Sequence, residues 1–129
     1  MGIAKAWLVF NLIVWLSYGI ACLLNPALLT EFAGIAMTTP TATTEIRAMY
    51  GGVQSAMGLL ALAALLKPGM VKPALAAFAF VLPCLAASRT LGLLLDASAS
   101  PYTNGVLVFE WLAAAVAVWV FLKKAPAAA

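Results

Sequence analysis

The chain has 129 residues, 66% of them hydrophobic and 9% charged, with a net charge of +3 and no histidine. A soluble domain carries about 25% charged residues, so this composition cannot clothe a water-soluble globule and points to the membrane. The missing histidine excludes bis-His haem, His-ligated zinc and a Ser-His-Asp triad, while Cys22 and Cys84 lie in separate apolar runs and form no disulfide framework.

A membrane-spanning helix needs ~20 mostly apolar residues. Four stretches supply them, at 6–24, 45–66, 73–95 and 104–122. No alternation of polar and apolar residues supports a β-barrel. The expected fold is therefore all-α: a four-helix antiparallel membrane bundle in one domain, 1–124, with a disordered tail at 125–129.

After the first span, Asn25 and Pro26 suit the cap and first position of a short amphipathic helix that stops at Gly34. Such an element lies at the membrane surface between spans one and two. A Thr-rich stretch with Pro40 reads as extended, and Thr43 or Thr44 then caps the second span. Glu45 in its first turn suits the helix dipole. Lys67-Pro68-Gly69 ends that span and Pro73 starts the third, where Pro83 should introduce a kink. A short loop over 98–103 leads into the fourth. One competing reading makes the first helix a cleaved lipoprotein signal around Gly19-Ile20-Ala21-Cys22, but the apolar run exceeds an ordinary signal core.

Charge sets the orientation. Four spans put Lys5, Lys67, Lys72, Lys123 and Lys124 on one side, which the positive-inside rule makes cytoplasmic, with both termini. Glu31, Glu45, Asp96, Glu110, Arg47 and Arg89 fall toward the other side. The scattered basic residues exclude a nucleic-acid patch.

Intramembrane charge is costly and demands a reason. Antiparallel packing brings Glu45, Arg47, Arg89 and Glu110 to similar depth below the outer surface. Arg47, Gly51, Gln54 and Gly58 share one face of the second span, and Gly51, Ser55 and Gly58 permit close helix approach. Asn11, Trp15, Tyr18 and Cys22 line a polar-aromatic face of the first. If these faces turn inward they enclose a polar cavity. The candidate binding residues are thus Glu45, Arg47, Tyr50, Gln54, Arg89, Glu110, Asn11 and Tyr18. The bland alternative makes Arg89–Glu110 an ion pair that holds two helices in register, with Asn11 bonding a neighbouring helix. The tryptophans read as interfacial anchors or packing, both cysteines as buried apolar residues, and the methionines are too scattered for copper. No metal site, cofactor or catalytic residue is expected.

The run Thr44-Glu45-Ile46-Arg47-Ala48-Met49-Tyr50-Gly51-Gly52, with Gln54, Gly58, Arg89 and Glu110, resembles a family of small four-span bacterial membrane proteins described as domain of unknown function 4345. The similarity covers nearly the whole chain. It implies an integral protein of the bacterial inner membrane and brings no reaction with it. A looser, architectural likeness runs to membrane subunits of DoxX type, some linked with quinone-dependent sulfur oxidation.

Four functions follow. The first is binding of an amphipathic, lipid-like or quinone-like molecule near the periplasmic side, with Arg47 and Arg89 on its head group and Tyr50 and Gln54 adding hydrogen bonds. The second is an accessory or structural subunit of a larger membrane complex, or a homo-oligomer. The third is a small dimeric transporter, although Asn11 stands where small multidrug exporters carry an acid. The fourth is an enzyme with Glu45 or Glu110 as base, which a neighbouring arginine would weaken.

Overall fold

The structure is a computed structural model that describes residues 2–124. Among these residues there is no strand. Four helical segments are long and apolar enough to cross a membrane: Ile3–Leu24, Pro40–Leu66, Pro68–Asp96 and Pro101–Lys124. The expected tail at 125–129 lies outside the described residues. The first span is helix α1 (Ile3–Leu24), followed by the short α2 (Leu28–Ala33). The second is continuous but composite: α3 (Pro40–Ile46), a π-helical segment (Arg47–Val53) and α4 (Gln54–Leu66). A single 3₁₀ turn leads into α5 (Val71–Asp96), and α6 (Pro101–Lys124) completes the bundle.

The second and fourth spans begin earlier than the composition suggests for the same reason. Thr39 caps α3 by accepting from the Ala42 N–H at 3.1 Å, with Pro40 at the first helical position. Ser100 caps α6 by accepting from the Thr103 N–H at 3.0 Å, with Pro101 next. Proline at that position lacks only an N–H that the helix leaves unbonded anyway. Pro40 therefore starts a helix instead of interrupting an extended stretch, and the cap is Thr39, not Thr43 or Thr44. The short α2 begins only after Ala27 and has no side-chain cap, so Asn25 and Pro26 are not its cap and first position; it ends at Gly34, whose φ of 68° favours a residue without a Cβ. Its Leu29 is buried, tying the interfacial element to the bundle. Pro83 lies inside α5 as expected.

The spans pack as two close pairs, α1 with the second span and α5 with α6; contacts between the pairs are sparser. The first pair is held by small residues. A Cβ on Gly58 would lie 2.6 Å from the Leu16 backbone nitrogen, and one on Gly51 would lie 2.9 Å from the Leu23 Cα. From the other side, a Cβ on Gly19 would run into the Ser55 backbone. The pairs 16/58, 19/55 and 23/51 keep one antiparallel register, and the small face expected on the second span is what admits α1.

Between the pairs, the core sits toward the lysine end. Leu8, Ala61, Ala74, Leu75, Phe78, Leu82, Ala117 and Val120 are buried together there. Ile13, Leu59, Phe80 and Leu112 point outward, each more than half exposed. An apolar outer surface of this kind is a liability in water and a requirement in lipid.

Candidate functional site

Arg89, on α5, and Glu110, on α6, form a two-pronged ion pair. Arg89 Nε donates to Glu110 Oε2 and Arg89 Nη2 to Glu110 Oε1, each at 2.7 Å. The geometry is the fork-to-carboxylate match that arginine favours. Glu110 is buried, with a side chain 6% exposed, while the Arg89 side chain keeps 30% exposure. Beside it, Trp111 Nε1 donates to Thr90 Oγ1 at 3.1 Å, and Thr90 Oγ1 donates to the Ala86 carbonyl at 2.8 Å. The second helix pair is thus stitched by two adjacent polar links.

Arg47 plays the matching part in the first pair. Its guanidinium donates to the carbonyls of Leu23 and Leu24, at the end of α1. Terminal carbonyls of a helix have no partner within it, and a cation there also suits the helix dipole. Arg47 is also the first residue of the π-helical segment, which contains Tyr50, Gly51 and Gly52. Widened turns of this type concentrate at functional sites.

Between the two pairs, at the end away from the lysines, lies a seam to which every span contributes. Tyr18 comes from α1, Tyr50 from the π-helical segment, Arg89 from α5 and Tyr102 from the first turn of α6. Tyr50 and Tyr102 are half-buried and Tyr18 is exposed. Cys22, one turn further along α1 from Tyr18, is fully buried. Gln54 Oε1 and Ser55 Oγ are buried without a partner in the protein. Tyr102 escaped the sequence reading because α6 was expected to start at 104.

The other candidates separate. Glu45 is exposed on α3. Asn11 is fully buried, but it donates to the Trp7 carbonyl at 2.8 Å and accepts from Trp15 Nε1 at 2.9 Å. Both partners lie in its own helix, so the expected bond to a neighbouring helix does not form. Seven residues separate Asn11 from Tyr18, about 10 Å of helix. Cys84 is exposed on α5 instead of buried. Two grooves are apolar and lie away from the charged cluster. One, of about 310 Å³, runs between α1 and α6 at the lysine end; the other, of about 360 Å³, lies on α5 around Phe80 and Cys84. The expected charge-lined cavity is replaced by closed polar links, since both arginines are bonded to the protein itself. No cluster of metal-ligating side chains is present among the described residues.

Four apolar spans, lipid-facing aliphatic surfaces and polar groups drawn inward define a multi-pass integral membrane protein. A family model described as domain of unknown function (DUF4345) matches residues 3–121, and the chain belongs to that family. No curated protein and no solved structure matches the chain, and the DoxX-type likeness is not shown.

Proposed function

We propose that this single-domain protein resides in a bacterial inner membrane with both termini cytoplasmic and holds an amphipathic, lipid- or quinone-like molecule in the tyrosine seam. The observation that carries this reading is the buried and unpartnered Gln54 Oε1 on the second span, with Tyr18, Tyr50, Arg89 and Tyr102, one group from each span, toward the same end of the bundle. Because Arg47 and Arg89 are engaged, recognition of the head group rests on neutral donors and acceptors. Tyr18, Tyr50 and Gln54 contact it; Arg47, Arg89 and Glu110 hold the helices that present them. Glu45 faces the aqueous boundary, and Asn11 supports α1. The apolar tail lies along the seam between the helix pairs, where packing is sparser.

Native mass spectrometry of gently extracted protein tests this, with analysis of whatever small molecule is released. A stoichiometric molecule, retained by the parent protein and lost in Gln54→Leu and Tyr50→Phe, is the expected result. A bare, stable bundle would favour a second reading, a structural subunit of a larger complex. That reading draws on the same fact, that both arginines already serve the fold.

A further inference from the structure

The groove at the lysine end has a chemistry of its own, distant from the tyrosine seam. One wall carries Ile3, Trp7 and Phe10 from α1, and the other Val116, Trp119 and Val120 from α6. From Ile3 to Phe10 the helix advances about 10 Å, so the groove runs from the end of the bundle into the apolar layer. Its lining side chains are all apolar or aromatic.

At the rim, Lys123 Nζ sits 4.4 Å from the centroid of the Trp119 ring. Helical spacing puts Val116, Trp119, Val120 and Lys123 on one face, with Lys124 beside it. Neither lysine is in an ion pair among the described residues, where Arg89 and Glu110 make the pair found. The four acids, Glu31, Glu45, Asp96 and Glu110, all belong to the opposite end of the bundle or the segments that cap it. An apolar slot below a cluster of uncompensated cations matches one kind of occupant.

We propose that this groove is a binding site for an anionic phospholipid. The phosphate sits against Lys123 and Lys124, and one acyl chain fills the slot. A zwitterionic lipid would bring its own cation to a rim that already holds two. A free phosphate would leave the apolar slot unused.

The test uses the full chain in phosphatidylcholine nanodiscs containing a rising fraction of phosphatidylglycerol with brominated acyl chains, read by quenching of tryptophan fluorescence. Trp7 and Trp119 line the groove, and a Trp15→Phe, Trp111→Phe background makes them the source of the signal. Quenching should saturate at low mole fraction, with brominated phosphatidylglycerol favoured about thirtyfold over brominated phosphatidylcholine, the ordinary strength of two lysines at an anionic surface. Lys123→Gln with Lys124→Gln should abolish that preference. Lys67→Gln with Lys72→Gln, at the same end but off the groove, should keep it. Equal quenching by the two lipids would overturn the proposal. So would equal loss in the two double variants, which would reveal diffuse attraction to the surface.

Discussion

Removing either partner of the Arg89–Glu110 pair should cost nearly as much as removing both. Two 2.7 Å bonds join the groups, and the Glu110 side chain is 6% exposed against 30% for Arg89. Breaking a fully buried pair from one side costs about 3–5 kcal/mol, because the survivor is left without a partner. Here the survivor has a partial escape in each case. After Glu110→Ala, Arg89 can extend toward water along its apolar stem. After Arg89→Ala, the gap left by a side chain that is 30% exposed admits water to the Glu110 carboxylate. Each single loss therefore falls at about 2–3 kcal/mol, below most of that range. The double variant has no orphan charge and should lose a similar amount, giving a coupling energy of about 2 kcal/mol. Unfolding in mixed micelles of a mild detergent with increasing dodecyl sulfate supplies the four stabilities of the cycle. A double-variant loss equal to the sum of the singles, within about 0.5 kcal/mol, would refute direct pairing.

Two glycines separate close packing from simple backbone freedom. Gly19→Ala puts a Cβ into the Ser55 backbone and 2.9 Å from the Gln54 carbonyl carbon, and should destabilise the bundle by about 1–3 kcal/mol in the same assay. Gly105→Ala meets nothing within 4 Å in the first turns of α6 and should be neutral or stabilising by up to about 1 kcal/mol. Equal effects would mean that α1 and the second span are not in close contact. For orientation, a reporter active only in the periplasm should stay silent when fused after Lys124, and one active only in the cytoplasm should work. The reverse pattern would place the lysine end outside.

Much of the fold was legible because the bilayer imposes a simple length rule on apolar runs. The Arg89–Glu110 match was legible too, because antiparallel spans bring equal depths together and intramembrane charges seek partners. The face of Gly51, Ser55 and Gly58 announced close contact, though not that α1 would supply Leu16, Gly19 and Leu23. What stayed hidden was local. Pro40 read as an interruption and Pro101 as part of a loop, while the structure uses both as helix starts behind a hydroxyl cap. The π-helical turns at Arg47–Val53 leave no periodic signature, since the apolar pattern around them suits an ordinary helix equally well. Asn11 could not reveal that Trp7 and Trp15, one turn to either side, would satisfy it. The engagement of Arg47 by main-chain carbonyls is equally invisible to a search for oppositely charged side chains.

The division into two helix pairs bears on biosynthesis. A nascent membrane protein meets lipid span by span, and a cation held there alone is at its most costly. In this chain each arginine finds its partner inside its own hairpin: Arg47 on the carbonyls of the span made just before it, Arg89 on the carboxylate of the span that follows. Each hairpin can leave the insertion machinery with its buried charge already answered. The later meeting of the two hairpins then joins apolar faces at the lysine end and tyrosines at the other, with no ion left to neutralise along the way.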